Sequence, residues 1–289
     1  MILIDNNQVL LGSLFALTKG DASQFSEDLL RHTVLNMYRT YRQRFLDCGE
    51  MILCHEGGTC WRKKVFPEYK KNRDVAKSSS EVDWKAIYGM IDGIREEIRG
   101  VFPYRHMRVS GAEADDVIAT LVKHYSVAEP IVIISSDKDF QQLQVYPNVR
   151  QWSPVTKNFV TCKNPTDFLI DHIIGGDSGD GVPNVLSDDD CFIVDGKRQS
   201  PMTAKKSAAI LEEVIVLGNQ IDVSPNMPDK IKRNWDRNRT MVDFRYIPLE
   251  LENQILQKYA DSVPTKRGDI LSYLVQHKMK NLMEVASEF

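Results

Sequence analysis

The sequence predicts an α/β fold in which a mostly parallel central sheet is flanked by helices, followed by a smaller helical domain. Short apolar, β-branched runs lead directly into acidic residues, which is typical of strands buried on both faces of a parallel sheet. These runs alternate with amphipathic helical stretches up to about residue 163, as in a doubly wound domain. The predicted strands are 2–5, 51–54, 104–109, 131–134 and 149–152.

The composition is that of an ordinary globular protein: 289 residues, 42% hydrophobic and 27% charged, with a net charge of −3. No apolar run approaches the roughly 20 residues that span a bilayer. The first strand lacks the basic segment and long apolar core of a signal peptide. Five cysteines without paired spacing predict a reducing cytoplasm and no zinc site.

Two acidic clusters form the first candidate site. One opens a predicted helix and the other follows a buried strand; together they contain Glu113, Asp115, Asp116, Asp137 and Asp139. In parallel sheets the ligand crevice lies outside the carboxyl ends of the strands. Two such charges about 4 Å apart repel by roughly 4 kcal/mol at an effective dielectric near 20, so a cation is expected. Hard oxygen ligands favour Mg²⁺ or Mn²⁺.

Further acids follow other predicted elements. Asp5 and Glu56 come at or just after the strands predicted at 2–5 and 51–54. Asp177 and Asp180 lie in a glycine-rich loop whose backbone amides could approach a phosphate closely. Three of these groups also have a structural alternative: Glu113–Asp116 can complement a helix dipole, and Asp137–Asp139 and Asp5 can lie in turns.

The segment 61–73 holds six basic residues and one acid, with Trp61, Phe66 and Tyr69 interleaved. Lysine and arginine bind phosphates while aromatic rings stack on exposed bases. The alternative is a solvated surface helix whose basic side chains lie along apolar surface. Residues 57–80 are predicted to form a flexible loop or arch, and a second basic region spans 230–245.

Three motifs, in this order, resemble the structure-specific 5′ nucleases, a family that includes flap endonucleases and the 5′-nuclease domains of bacterial DNA polymerases. They are Glu-Ala-Asp-Asp at 113–116, Ser-Ser-Asp-Lys-Asp-Phe at 135–140 and Gly-Asp-Ser-Gly-Asp-Gly-Val-Pro at 176–183. Tyr-Lys-Lys-Asn-Arg at 69–73 is most similar to the phage ribonuclease H branch. The resemblance covers most of the chain.

The resemblance implies a PIN-like, metal-dependent nuclease domain at 1–163 with the arch at about 57–80. It implies a helical duplex-binding domain at 164–289, whose loop is of the helix-three-turn-helix type. One implied metal-binding group is Asp5, Glu56, Glu113, Asp115 and Asp116, and the other is Asp137, Asp139, Asp177 and Asp180. Lys70 and Arg73 match the residues that approach the scissile phosphate, and the other implied nucleic-acid contacts are Arg62, Tyr69, Lys71, Gly176, Gly179 and Gly181.

This sequence departs from the family pattern at three positions. Glu56 stands where the family usually has aspartate, so this ligand has a longer arm. Gly181 replaces the usual asparagine and Asn184 the usual glycine of the loop. In addition, Met1 begins the first strand, where T-even phage enzymes carry extra residues that contact a clamp.

The implied activity is Mg²⁺-dependent 5′ to 3′ exonuclease, flap endonuclease and ribonuclease H cleavage of branched or nicked DNA and RNA–DNA duplexes. Its implied task is removal of lagging-strand RNA primers during phage replication, in the cytoplasm of the infected bacterial host. The implied cofactors are two Mg²⁺ ions, for which Mn²⁺ substitutes, and a monovalent cation at the 176–185 loop. The resemblance implies a monomer without membrane contact. Its implied protein partners are a single-strand-binding protein and a sliding clamp.

Two alternatives stay open. Asp137-x-Asp139 after an apolar strand is also typical of phosphatases that form an aspartyl phosphate. A nuclease-like module that recognises branched DNA without cutting it is the second.

Overall fold

The computed structural model describes residues 1–18, 26–80, 82–218, 220–264 and 266–289. The chain forms two compact units. Unit 1 comprises Met1–Gly58, Glu81–Thr161 and Leu249–Phe289, and unit 2 comprises Thr59–Ser80 and Cys162–Pro248. The expected boundary near residue 163 lies close to the point where the chain enters unit 2 for the second time. However, the expected division placed 59–80 with the first domain and 249–289 with the second.

Unit 1 is built on a six-stranded sheet, which confirms the predicted fold class. Its strands are β1 Ile2–Asp5, β2 Met51–His55, β3 Arg105–Arg108, β4 Ile131–Ile134, β5 Val149–Ser153 and β6 Asn158–Val160. The order is β3-β2-β1-β4-β5-β6. All neighbours are parallel except β6, which pairs antiparallel with β5. The carboxyl ends of β1, β2 and β4 therefore lie side by side.

The helices alternate with the strands of unit 1 and also build unit 2. They are α1 Asn6–Thr18, α2 Glu27–Arg44, α3 Arg62–Val65, α4 Lys71–Ser78, α5 Trp84–Val101, α6 Ala114–Tyr125, α7 Pro165–Gly175, α8 Ala204–Leu211, α9 Asp229–Val242, α10 Leu249–Asp261, α11 Ile270–Gln276 and α12 Lys280–Met283. In unit 1, α1 packs against β1 and β2, and α6 packs against β1, β2 and β3. The central strands are thereby covered, and every residue of β1 and β4 is buried.

Two helices show where hydrophobic periodicity predicts the buried face of a helix and where it does not. The isoleucines of α5 recur every three or four residues, and the four at 87, 91, 94 and 98 are all buried as predicted. In α2, the four-residue spacing of Phe25, Leu29, Thr33, Met37, Tyr41 and Phe45 predicts one apolar face, and of this set the structure buries Tyr41 and Phe45. Leu29 is 49% exposed, while Leu30, Val34 and Tyr38 are buried. A strict four-residue repeat drifts around a helix of 3.6 residues per turn. Phe25, the first residue of the predicted pattern, lies outside the described residues.

Unit 2 differs from the expectation in two ways. Residues 57–80, expected to form a flexible loop or arch, contain α3 and α4, and Phe66 and Tyr69 are buried in the core of this unit. The C-terminal part, expected to be helical, includes an antiparallel hairpin of β7 Val214–Leu217 and β8 Gln220–Val223. The apolar run Val-Ile-Val-Leu before a glycine favours a strand and turn over a helix.

All five cysteines lie among the described residues, and none of the five forms a disulfide bond. In the part of the chain that the structure describes, no helix combines the length and the apolar character that crossing a bilayer requires.

Candidate active site

Asp5 and Asp137 meet at the carboxyl edge of the sheet. Asp5 ends β1; its Oδ1 accepts a hydrogen bond from the Gln8 amide at 3.1 Å, and its Oδ2 accepts one from Ser135 Oγ at 3.2 Å. The same Ser135 hydroxyl accepts from the Asp137 amide at 3.1 Å. One hydroxyl therefore joins the acid of β1 to the residue that follows β4.

Asp115 lies in the same region, as the buried thiol of Cys54 shows. Cys54 is 0% exposed and pairs in register with Asp5 across β1 and β2. Burial raises the pKa of this thiol well above its usual value, and the nearby carboxylates of Asp5 and Asp115 raise it further. The carboxylates of Asp5 in β1 and Asp115 in α6 therefore both lie near the Cys54 thiol.

A reciprocal cap fixes the start of α6. The Glu113 side chain accepts from the backbone three residues on, and Asp116 Oδ2 accepts from the Glu113 amide at 2.9 Å. Both side chains are buried, at 3% and 0% exposure. Backbone amides and the positive end of the helix dipole stabilise carboxylates at this position.

The backbone beside Glu56 approaches the residues before α6 because Gly57 has no side chain. The Gly57 amide donates to the Ala112 carbonyl at 2.8 Å, directly before Glu113. A Cβ at Gly57 would lie 1.6 Å from the Val109 carbonyl oxygen, so no side chain fits there. Arg108 Nε also donates to the Glu56 carbonyl at 3.0 Å.

Asp137 and Asp139 are held by local hydrogen bonds. Asp137 Oδ1 accepts from the Asp139 amide at 3.0 Å and caps a 3₁₀ helix. Gln151 of β5 donates its Nε2 to the carbonyls of Ser135 and Asp137, at 3.0 and 2.7 Å. Unit 1 thus carries seven of the nine predicted metal ligands: Asp5, Glu56, Glu113, Asp115, Asp116, Asp137 and Asp139.

A buried polar chain lies behind these acids. Tyr38 donates its hydroxyl to Asn6 Oδ1; Asn6 Nδ2 lies 3.2 Å from His55 Nδ1, and His55 Nε2 lies 3.1 Å from His106 Nδ1. Burial lowers the pKa of His55 well below its usual value, and the neighbouring His106 lowers it further. Burial also lowers the pKa of His106 to about 4. Both imidazoles are therefore neutral at neutral pH.

The donor set of unit 1 fits a hard divalent cation. Its oxygens are carboxylates, while the Cys54 thiol is kept protonated and the His55 nitrogens face Asn6 and His106. Such a set suits Mg²⁺ or Mn²⁺ better than a thiolate-binding metal.

The acid–glycine loop, residues 176–185, follows α7 in unit 2. Asp177 Oδ1 accepts from the Asp180 amide at 3.1 Å, and the Asp177 carbonyl accepts from Val182 at 2.7 Å. His172, which sequence reasoning missed, is buried with its Nε2 3.7 Å from Asp177 Oδ2. Its only sequence signal is a histidine in the last turn of the helix that leads into the loop.

The departure at Asn184 has a structural explanation. Its side-chain oxygen accepts from the Leu186 amide at 3.0 Å and the Ser187 hydroxyl at 2.9 Å. Its Nδ2 donates to the Ser200 carbonyl at 3.0 Å. Asn184 therefore holds the turn after the loop.

The predicted nucleic-acid contacts divide into internal and exposed groups. Arg62 is 2% exposed, donates its Nε to the Met241 carbonyl at 2.9 Å and covers the Trp61 ring at 4.7 Å. Tyr69 is 3% exposed and donates to Asp180 Oδ2 at 2.8 Å. Both were expected at the substrate surface and instead lie inside unit 2. The side chains of Lys71 and Arg73 are about half exposed.

The second basic region is neutralised within unit 2. Lys230 pairs with Asp188 at 2.8 Å, while Arg233 and Arg237 both pair with Asp189. Lys197 pairs with Asp190 at 2.5 Å and with Asp188 at 3.2 Å. The aspartates at 188–190 are therefore ion-paired with α9 and Lys197.

Comparison with known proteins identifies the family. Residues 1–168 match the 5′-3′ exonuclease N-terminal resolvase-like domain, and residues 165–289 match the T4 RNase H C-terminal domain. Ribonuclease H of Enterobacteria phage T4 is 31% identical over 296 residues, which cover 99% of this chain and 95% of that protein. Flap endonuclease Xni of Shewanella oneidensis is 25% identical over 221 residues, covering 71% and 75%.

Solved structures agree on the fold. The T5 D15 protein co-crystallised with metal ions aligns with a TM-score of 0.64 at 18% identity, covering 90% of this chain and 97% of that one. The bacteriophage T5 D15 flap endonuclease in a complex with DNA and metal ions gives 0.62 at 19% identity, covering 90% and 99%. With two family models that together span its length, this chain is a phosphodiester hydrolase of the 5′-3′ exonuclease family, to which ribonuclease H and the flap endonucleases belong.

Proposed function

We propose that this chain is a Mg²⁺-dependent 5′ nuclease that cleaves flaps, nicked DNA and RNA–DNA duplexes, and removes RNA primers during phage replication inside the bacterial host. The observation that carries the proposal is the grouping of Asp5, Asp115 and Asp137 at one edge of the sheet. The phage T4 relative, named ribonuclease H, supports the choice of an RNA–DNA substrate.

The metal-binding residues proposed in unit 1 are the seven carboxylates described above, and Asp177 and Asp180 are proposed from unit 2. T5 5′-exonuclease has been solved with divalent zinc ions bound, which supports divalent-ion binding in this fold. When bound, Mg²⁺ supplies Lewis-acid stabilisation of charge on phosphate and activates water for attack on phosphorus. Mn²⁺ is the proposed substitute.

The chain's own residues then have distinct tasks. The backbone and hydroxyl donors at Asp5 and Asp137 keep these carboxylates oriented for the ion. Lys70 and Arg73 supply positive charge for the phosphate as its negative charge grows. The acid–glycine loop binds duplex backbone, which gives an affinity that falls with salt. A monovalent cation at this loop, a single-strand-binding protein and a sliding clamp stay predictions from the resemblance.

The test is Asp137→Asn, assayed on a 5′-labelled flap and on a nicked RNA–DNA duplex. Asparagine keeps an oxygen that can cap the Asp139 amide, so we expect a folded protein. Cleavage with Mg²⁺ should fall by about 10²- to 10³-fold, comparable to the loss of one transition-state contact. Asp190→Asn, in the ion-paired cluster at 188–190, is the control and should leave the rate unchanged.

The two alternatives predict different results. Wild-type protein that binds flaps but yields no product with any divalent ion would be a binding module. A trapped phospho-aspartate at Asp137 would indicate a phosphatase. Full activity of Asp137→Asn would contradict the proposed metal site.

A further inference from the structure

We infer that Gln8 and Gln151 are positioning residues of the unit 1 metal site. Together they hold the exit segment of β4, residues 135–137, so that the Asp137 carboxylate stays oriented towards an ion. This inference rests on the proposed function, since it takes Asp137 as a metal ligand. It assigns a role to two uncharged side chains that belong to none of the sequence motifs.

Gln151 holds the exit segment from the side of β5. It is 1% exposed, and its Nε2 donates to the carbonyls of Ser135 and Asp137, at 3.0 and 2.7 Å. Its own Oε1 accepts from Gln144 Nε2 at 3.3 Å. Because carbonyl oxygens can only accept, the amide nitrogen of Gln151 must face the segment. Buried amides are kept where their polar atoms have such partners, and here the partners are the backbone of the segment that carries the acid.

Gln8 holds the same segment from the side of α1. Its Oε1 accepts a hydrogen bond from the Ser136 amide. Because a backbone amide can only donate, the side-chain oxygen of Gln8 must face the segment. The backbone amide of Gln8 donates to Asp5 Oδ1 at 3.1 Å. Gln8 therefore contacts both the acid that ends β1 and the segment that follows β4.

The other contacts of the exit segment complete its fixation. The Ser135 amide donates to the Trp152 carbonyl at 3.1 Å, and the Asp137 amide donates to Ser135 Oγ at 3.1 Å. The Ser136 hydroxyl lies 2.7 Å from that of Ser153. With the two glutamines, each backbone amide of the segment has an acceptor, and the carbonyls of Ser135 and Asp137 have a donor. The direction in which Asp137 leaves the backbone is thereby set from two sides.

The two glutamines act through Asp137. A residue that holds a metal ligand in place fixes the orientation of that ligand before the ion arrives, and its loss commonly weakens metal binding by about 10- to 100-fold. Since neither amide is charged, both can orient the carboxylate without cancelling its charge.

The experiment replaces each glutamine by methionine, which has a similar length and no amide. Mn²⁺ binding is measured without DNA by electron paramagnetic resonance, and Asp137→Asn identifies the ion that Asp137 binds. The Kd of that ion should rise about tenfold in both Gln8→Met and Gln151→Met. In the metal-free protein, hydrogen exchange of the Ser136 and Asp137 amides should become about tenfold faster, because lost hydrogen bonds make local opening easier.

Two controls separate positioning from stability. Gln43→Met removes an amide of α2 that donates to the Glu288 carbonyl at 3.2 Å. Ile270→Val truncates a buried side chain of α11 and should lower the stability of unit 1. Both variants should keep the wild-type Kd for Mn²⁺, since neither side chain donates to or accepts from the exit segment.

A conservative variant tests the direction of the bond at Gln8. Gln8→Glu keeps an oxygen that can accept from the Ser136 amide, whereas Gln8→Met does not. Exchange at Ser136 should therefore match wild type in Gln8→Glu and be faster in Gln8→Met. A glutamine that only filled space would tolerate methionine as well as glutamate.

The outcomes distinguish this inference from the proposed function. Unchanged Kd values for Mn²⁺ in both methionine variants would overturn the inference, and so would an equal rise in Ile270→Val. Wild-type protein that binds no Mn²⁺ would overturn the inference together with the metal site. If Mn²⁺ binds in the expected pattern but no flap is cleaved, the positioning role stands and the proposed function fails.

Discussion

Two acidic clusters of this protein look alike in sequence and differ in their partners. Asp188, Asp189 and Asp190 are paired with the lysines and arginines of unit 2. At the edge of the unit 1 sheet, Asp5 and Asp137 each accept a hydrogen bond from a backbone amide, and Asp5 accepts another from a serine hydroxyl. Neutral donors orient a carboxylate, whereas a cationic side chain also cancels its charge. The ion pairs of the first cluster stabilise unit 2, whereas the second cluster is the proposed ion site.

The largest expected effect comes from exchanging one aspartate in each cluster for asparagine. Asp5→Asn should slow cleavage by about 10²- to 10³-fold and leave stability near wild type, because the Gln8 amide keeps an acceptor. Asp189→Asn should leave the cleavage rate unchanged. It should lower the free energy of unfolding by roughly 3 kcal/mol, because Arg237 becomes a buried charge without its carboxylate. Single-turnover cleavage and urea unfolding measure the two effects.

The comparison fails if both variants lose activity, or if both lose only stability. Either result would show that the two clusters do the same work.

A second prediction concerns the two arginines that share Asp189. The side chain of Arg237 is 7% exposed, donates to the Pro183 carbonyl at 2.8 Å and lies 5.6 Å from the Phe66 ring centre. Arg237→Ala should destabilise by about 3 kcal/mol in urea unfolding, since it removes one partner of a buried pair. Arg233 is 59% exposed, so Arg233→Ala should cost less than about 1 kcal/mol. Equal losses would show that burial does not set the difference.

The last prediction is a pH dependence of stability that arises from the histidines near the acids of unit 1. His106 has a pKa lowered to about 4, whereas an unfolded histidine titrates near 6.5. Between these values the unfolded chain binds the proton and the folded one does not, so stability falls as the pH falls. Across the pH range between these two pKa values, His106 alone lowers the free energy of unfolding by at most roughly 3 kcal/mol.

Urea unfolding of wild type and His106→Asn between pH 7 and pH 4.5 measures this effect. The variant should lose less stability over that range than wild type does. Parallel curves would mean that His106 titrates normally in the folded protein.

The sequence predicts those parts of the fold that local patterns determine. The β-branched runs of β1 and β4 and the isoleucine spacing of α5 suffice, because burial of these elements repeats at a fixed period. The inward positions Leu30, Val34 and Tyr38 of α2 and the β7–β8 hairpin were not predicted. The same is true of residues 249–289, where Tyr273, Leu274 and Phe289 complete the unit 1 core. Their placement depends on partners far away in the chain.

The candidate site also has a part that the sequence predicts and a part that it does not. Asp5 and Asp137 were predicted because strand ends in a parallel sheet share an edge. The polar chain from Tyr38 through Asn6 to His55 and His106 was missed, because its members come from four elements and carry no motif. Arg62 was assigned to the surface from its charge, although the Met241 carbonyl and the Trp61 ring accommodate it inside.

The return of the chain to unit 1 has a consequence for synthesis. Phe102 packs against Phe289 and Tyr273, with ring centres 5.2 and 5.5 Å apart. The ribosome adds these partners of Phe102 only after all of unit 2 has been synthesised. Until then the nascent first unit exposes an apolar face, as is common for chains that fold while they are still being made. Unit 2 must therefore be synthesised before unit 1 can bury this apolar face.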